Sequence, residues 1–541
     1  METKKSAGTF GAPPGNLSAP EALSALHRNE LRSFRKRRKK VIKRHLSGSY
    51  ARFVLGTTKD YLGFVVYAWA RALWDYNMVP TVFLDRVAII SSAALASTVM
   101  FFALLWCIFC KFPPVDRLFY LWSHYVLPGV STANSILPDL FEILSDEEVA
   151  CACDALSKPI SESKDTGTHR EFNLDVAKLL LQCSALMYER TAFPLLDALA
   201  LTTAEESWKL PANLLHASHT AAVNTALHRH PQELKIEDFV ARYGLKYQTL
   251  SELNSLSSAS CGAFWHPDKN FIILAYKGTS PEVFDEYATD LAYMPKHAGG
   301  WIHGFGKVHG GFFSKVFPSR LAPKCLMPYT TIEHGVTIIA NALLEGKPQG
   351  TEINVWTTGH SLGCSVASLV YARQINEPPD LSRSIVMRDG YIFAAPIVCD
   401  ITSANAFDNQ MRRNGRPRTL WRGKDIVATG LPHMGDCPEW GVSASSVFSY
   451  AHLGVEISLK PDICRVRGTH VTPGSDVCIT TAYNASEKKP LPPDEARRLE
   501  NMRKRLKLAQ WIPVLGQFLS HAPVSYWVAL SEVKASHCEW E

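Results

Sequence analysis

The sequence lacks surplus charge outside one short tract. Its formal net charge is +6, yet ten Lys/Arg residues and the single acid Glu30 fall between Arg28 and Arg44. That tract carries +9, so the rest of the chain sums to −3. A main body without excess positive charge speaks against nucleic-acid binding. Metal-ligand spacing is missing too. Thirteen cysteines are scattered without zinc-like spacing. Cys107 and Cys110 form one C-x-x-C, but inside an apolar run where zinc or redox chemistry is out of place. Cys151 and Cys153 have no partners at ligand spacing. No internal repeat occurs. With 20% charged and 46% hydrophobic residues, the composition is globular and not disordered. At 541 residues the chain exceeds one ordinary core, so a large domain with accessory segments is expected.

One long apolar run sets the domain plan. Val87 to Cys110 holds 24 residues without a charge, between Arg86 and Lys111. About 20 apolar residues span a bilayer's hydrocarbon core at about 1.5 Å per residue. The run is too long and too far into the chain for a cleaved signal peptide. Trp106, Phe109 and Phe112, then Phe119, Tyr120, Trp122 and Tyr125, form an aromatic fringe suited to a membrane interface. A weaker stretch, Tyr61 to Leu84, carries Arg71 and Asp75 and reads as an interfacial helix or a second span. The expected plan is a leader and basic tract over 1–60 and a membrane-anchor region over 61–130, with its transmembrane helix near 87–110. A connecting segment covers 131–170 and an α/β domain covers 171–541.

Within that domain, Val176, Leu179, Leu180, Cys183, Leu186 and Met187 recur at helical spacing. Phe271–Tyr276, Ile353–Thr357, Tyr391–Ala395 and Thr419–Trp421 read as strands, with helical stretches at Thr331–Leu344 and Leu362–Ile375. Strand and helix in alternation predict a mostly parallel central sheet covered on both faces. Among the late cysteines, Cys437, Cys464 and Cys478 are candidates for a disulfide in an oxidising compartment.

The chemistry centres on Gly359-His360-Ser361-Leu362-Gly363, between a strand and a helix. A sharp strand-to-helix turn lifts the serine above the sheet edge, and small flanking residues let the two segments pass without clashing. The helix that follows aims its positive end at a developing oxyanion. Upstream lie Tyr276-Lys277-Gly278-Thr279-Ser280 and Val308-His309-Gly310-Gly311-Phe312. Downstream come Phe393-Ala394-Ala395-Pro396, Asn405-Ala406-Phe407 and Lys424-Asp425-Ile426-Val427. In these ordered blocks, over roughly residues 172–530, the sequence resembles the class 3 lipases. That family includes secreted fungal lipases and membrane-bound diacylglycerol lipases, and the resemblance implies an α/β-hydrolase fold. Departures are Lys277 where Arg is usual, Cys364 where a third Gly is common, and Ala428 where Pro usually follows D-x-V.

A serine nucleophile needs a histidine base and an acid that orients it, in the chain order Ser, Asp, His for this fold. The resemblance places the acid at Asp425; Asp400, Asp408 and Asp436 read as loop carboxylates or caps. Of His433, His452, His470, His521 and His537, the resemblance selects His521, before Tyr526, as the base, and His452 falls in a non-catalytic block. It also assigns the oxyanion donors to Leu362 and Thr279. Pro281–Asp290 falls at the family's lid, with Val283, Phe284 and Tyr287 as its apolar cover and Asp290 as support for the oxyanion residue.

The resulting expectation is a serine lipase acting on glycerolipid esters through an acyl-enzyme. It needs no metal or organic cofactor and has the bilayer and a lipid ester as partners. A phospholipase or acyltransferase on the same triad, or a catalytically silent scaffold, stays open. With one span the domain faces the lumen or exterior, where the sequon at Asn484 is accessible; with a hairpin it stays cytosolic. Endomembrane residence fits both.

Overall fold

The computed structural model describes residues 49–74, 83–125, 144–159, 169–190, 231–254, 260–280, 283–319, 327–375, 381–413, 419–422, 449–459, 464–467, 476–483 and 520–540, with a few isolated positions. Helices lead: α1 (Tyr50–Trp74), α2 (Phe83–Cys110), α3 (Pro113–Tyr125) and α4 (Asp146–Ser157). Strand and helix then mix, through β1 (His169–Asn173), α5 (Leu174–Leu186), α6 (Pro231–Ala241), β2 (Lys246–Ser251), β3 (Cys261–Trp265) and β4 (Phe271–Tyr276). Next come α7 (Phe284–Asp290), β5 (Pro295–His297), β6 (Lys307–His309), α8 (Gly310–Val316), α9 (Pro328–Leu344), β7 (Ile353–His360) and α10 (Leu362–Gln374). The remainder is β8 (Ile385–Phe393), β9 (Cys399–Asp400), α11 (Ile401–Arg413), β10 (Leu420–Arg422), β11 (Tyr450–Ala451), β12 (Val455–Leu459), β13 (Cys464–Arg467), β14 (Asp476–Thr480), α12 (Pro523–Glu532), β15 (Ser536–His537) and β16 (Glu539–Trp540).

The main sheet has nine strands in the order β16-β13-β12-β10-β8-β7-β4-β3-β2. From β4 to β12 every neighbour is parallel, as expected for buried strands joined by helices. β16 is also parallel to β13 at one edge, so most neighbour pairs are parallel, as expected. β2, β3 and β4 form an antiparallel meander, and β12 pairs antiparallel with β13, so the sheet is mixed. The loops explain the difference, since short connections such as the one between β3 and β4 allow only an antiparallel return.

Helices cover both faces. In β4 the alternation is legible residue by residue. Ile272, Leu274 and Tyr276 enter the core under α9 and α10. Phe271, Ile273 and Ala275 enter the opposite core beside α4, α5 and α6. The strand is therefore apolar throughout and fully buried. α4 lies in the span expected to be connecting segment, yet it belongs to this second core. Its start is fixed by a capping box, Ser145 to Glu148, and its Leu156 carbonyl accepts from Asn354 Nδ2 at 2.8 Å and Trp356 Nε1 at 3.0 Å.

α1 and α2 run side by side as a hairpin. Tyr61 meets Phe101, Trp69 Nε1 donates to Ser97 Oγ at 3.2 Å, and Tyr50 Oη donates to the Ile108 carbonyl at 2.9 Å. One side of the pair packs on the α/β body, with Phe64, Ala68, Met100 and Leu104 around Phe284 of α7. The other side leaves Val66, Trp74, Leu95, Phe102 and Phe109 exposed. Asp85 to Cys110 is the one described helix long and apolar enough to cross a bilayer.

The late cysteines pair differently from expectation. Cys464 is bonded to Cys538, and Cys478 is a free thiol. The reason is long-range, because β16 returns to pair with β13 and brings Cys538 beside Cys464. Cys437 lies outside the described residues.

Candidate active site

β4, β7 and β8 end at the same edge of the sheet, with Tyr276 level with Gly359 and His360 level with Phe393. The chain leaves β7 through Ser361 and enters α10 at once. Ser361 sits at φ 56° and ψ −129°, a conformation that L-residues rarely adopt. Packing sustains it: Ser361 N–H donates to the Phe393 carbonyl at 3.0 Å. The flanking glycines are sterically obligatory. A Cβ at Gly359 would lie 2.8 Å from the Gly363 carbonyl carbon, and one at Gly363 would lie 2.2 Å from the Tyr276 carbonyl oxygen. Cys364 occupies the place of a third glycine, its thiol 2.9 Å from the Phe393 carbonyl oxygen and 3.1 Å from that of Gly359.

The structure brings Ser361 and His521 together across 160 residues, with His521 Nε2 2.9 Å from Ser361 Oγ. His521 lies just before Pro523, which opens α12. Nδ1, the other ring nitrogen, is where an orienting acid binds in a triad. Asp425, expected in that role, lies outside the described residues, as do Asp436, His433 and His470. The remaining alternatives are placed elsewhere. Asp400 accepts from Ser403 N–H at 2.9 Å and Lys307 N–H at 2.9 Å, so it holds a helix start and a strand. Asp408 is on α11, His452 is buried after β11, and His537 is on β15 beside Asp476.

One pair of residues escaped sequence reasoning. His360 Nε2 is 2.7 Å from the carbonyl oxygen of His521, and its Nδ1 is 2.7 Å from Tyr188 Oη. A carbonyl only accepts, so Nε2 carries a proton and donates to it. In the neutral ring Nδ1 then accepts from the tyrosine. His360, the residue before Ser361, thus holds the backbone of His521. Its position within the glycine motif gave no hint, because that position tolerates many residues.

The residues expected to meet an oxyanion, Thr279 and Leu362, lie beyond the ends of β4 and β7. Leu362 opens α10, so its N–H lies outside the helix's own bonding ladder. A Cβ at Gly278 would lie 2.5 Å from the His360 carbonyl oxygen, so the loop leading to Thr279 runs against the elbow. Thr279 Oγ1 donates to Asp290 Oδ2 at 2.8 Å. The Asp290 carbonyl in turn accepts from His309 Nε2 at 3.0 Å. Burial lowers His309 to about 3, so the ring is neutral, stacked on Phe312. Beneath the loop, Lys277 is fully buried. Its Nζ reaches Ser280 Oγ at 2.6 Å, the Gly278 carbonyl at 3.1 Å and Glu286 Oε1 at 3.5 Å. Glu286 also accepts from Ser280 N–H. This departure from the usual Arg therefore pins the loop to α7. The apolar side of α7 meets the α1–α2 hairpin through Phe284.

Burial, the largest cause, pushes the Asp290 carboxyl from its ordinary 3.8 up to about 7; the Thr279 bond opposes it. A carboxyl raised on folding gives stability that is full below about pH 4 and lost as pH rises through about 7. Asp290→Asn is expected to remove that loss. In urea unfolding between about pH 4 and pH 8, wild type should fall relative to the variant across this window. Parallel curves for the two proteins would contradict a buried, proton-binding Asp290.

This geometry defines an α/β-hydrolase with a strained serine elbow and a histidine in contact with its hydroxyl. Residues 273–433 match the family model described as lipase (class 3), from β4 to beyond β10. No curated protein sequence matches the chain. Solved structures similar to it include the Rhizomucor miehei lipase propeptide complex, at 21% identity over 41% of this chain and 58% of that one, TM-score 0.28. Lipase II from Rhizopus niveus is 22% identical over 41% of this chain and 69% of that one, TM-score 0.28. Lip2 lipase from Yarrowia lipolytica is 15% identical over 40% and 66%, TM-score 0.25. The chain thus spans less than two thirds of the first of these.

Proposed function

We propose that the protein is a membrane-associated serine lipase that hydrolyses di- or triacylglycerol esters through an acyl-enzyme. The observation that carries this reading is the 2.9 Å approach of His521 Nε2 to Ser361 Oγ at a strained elbow. Ser361 Oγ attacks the ester carbonyl as its proton passes to His521. Asp425 orients and stabilises the imidazolium. The oxyanion is met by the N–H of Leu362 and by Thr279, whose hydroxyl is held by Asp290. His521 then protonates the departing alcohol. Water, deprotonated by the same ring, frees the fatty acid and restores Ser361.

Membrane association is supported by α2, whose 28 residues extend about 42 Å against a hydrocarbon core of about 30 Å. It is supported too by the exposed apolar side of the hairpin. Because that hairpin packs on α7, the residues beside the oxyanion loop lie next to the proposed bilayer surface, which suits a lipid substrate entering sideways.

Full-length protein in vesicles of phosphatidylcholine doped with diacylglycerol tests the proposal. Fatty acid and monoacylglycerol are expected as products. Lysophospholipid with the diacylglycerol untouched would favour a phospholipase, and acyl transfer to an added alcohol without free fatty acid would favour an acyltransferase. No product from folded protein would favour a silent scaffold.

A further inference from the structure

A small three-stranded sheet away from the elbow, β1-β14-β15, collects an unusual set of side chains. Asp476 and Cys478 are two apart on β14, so both point to one face. His169 is the register partner of Asp476 on parallel β1, and His537 is the partner of Cys478 on antiparallel β15. Side chains of registered partners share a face, so two imidazoles, a carboxylate and a thiol converge from three distant parts of the chain. His169 Nδ1 is 3.0 Å from Asp476 Oδ2, and His537 Nδ1 is 2.9 Å from Asp476 Oδ1. Cys478 Sγ is 3.2 Å from His537 Nδ1 and 3.5 Å from Asp476 Oδ2. The donor atoms of His169, Asp476 and Cys478 all lie within 4.8 Å of one another.

We propose that His169, Asp476 and Cys478 bind one zinc ion, with His537 hydrogen-bonded to Asp476 as a supporting group. Bond lengths of about 2.0 to 2.3 Å in a tetrahedron put neighbouring donors about 3.3 to 3.7 Å apart, close to the spacings found. Imidazole, thiolate and carboxylate are zinc's ordinary protein ligands, and the three here leave the fourth position to solvent. A hydrogen-bonded cluster alone accounts for the aspartate between two histidines. The thiol adds a soft donor to this set, its Sγ lying 3.6 Å and 3.5 Å from the two oxygens of the same carboxylate. On binding, the Cys478 thiol loses its proton to solvent and the His169 imidazole binds as a neutral ring. The ion would fasten β1 to β14, with β15 held beside it through His537 on Asp476. The segment from His521 through α12 to His537 would then be tied at its far end as well as by the Cys464–Cys538 bond.

The test uses full-length protein in detergent, stripped with a chelator, then titrated with Zn²⁺ or Co²⁺. One equivalent of Zn²⁺ is expected to bind tightly and raise the melting temperature. Co²⁺ is expected to give the strong visible bands of a tetrahedral site and a thiolate-to-metal charge-transfer band. Cys478→Ser, a near-isosteric change on a partly exposed strand, should abolish that band while circular dichroism stays unchanged. His537→Ala should weaken Zn²⁺ by at least about tenfold, the least that loss of even a supporting group costs. Absence of stoichiometric binding would overturn the proposal, as would a Co²⁺ spectrum that Cys478→Ser leaves intact. Neither readout depends on ester hydrolysis, so this inference and the lipase reading fail separately.

Discussion

Ser361→Ala is expected to lower ester turnover by roughly five to six orders of magnitude, and His521→Ala by a similar factor. The two side chains work as one device. The hydroxyl is a poor nucleophile without a base 2.9 Å away, and the base has nothing to activate once the hydroxyl is gone. The double variant should therefore be no slower than either single one. Additive losses in a turnover assay would mean that the residues act independently. Neither change touches the core, and Ser361→Ala relieves no steric clash that holds the elbow, so both variants should melt near the wild-type temperature.

Lys277→Met is expected to cost about 3 to 5 kcal/mol of stability, measured by denaturant unfolding. Lys277 and Glu286 are both fully buried, and methionine would leave the carboxylate without its cation. The Gly278–Ser280 backbone hangs on the same group, so the variant should also lose activity at temperatures where it stays folded. Lys277→Arg should retain most of both properties if the cavity accepts the larger head, since the usual family residue supplies the same charge. Unchanged stability of the methionine variant would show that the pair contributes nothing net to the folded state.

Much of the fold was legible because burial imposes local patterns. FIILAY reads as a strand and is one, over the same six residues. The helix after the elbow also begins where the serine motif demands. The Ser361–His521 contact was recoverable only through resemblance to a family, because no local spacing links residues 160 apart. What stayed hidden depends on long-range return of the chain. Cys464 meets Cys538 only because β16 pairs with β13. His169, Asp476, Cys478 and His537 become neighbours only through strand register. Thus the absence of zinc-like spacing in sequence did not bear on a site built across a sheet. The role of His360 was hidden for another reason: it holds backbone, which leaves no motif, and Lys277 stood out only as a departure from Arg, its contacts unseen. The apolar partners of Phe284 were hidden too, because they sit on a helical hairpin far upstream in the chain.

The central claim is that Ser361 is a nucleophile activated by His521. Labelling of the folded, full-length protein with a fluorophosphonate, followed by mass mapping of the modified peptide, tests it most directly. The account predicts one adduct, on Ser361, absent in Ser361→Ala and formed far more slowly in His521→Ala. Folded protein that takes no label, or takes it on another serine, would contradict it.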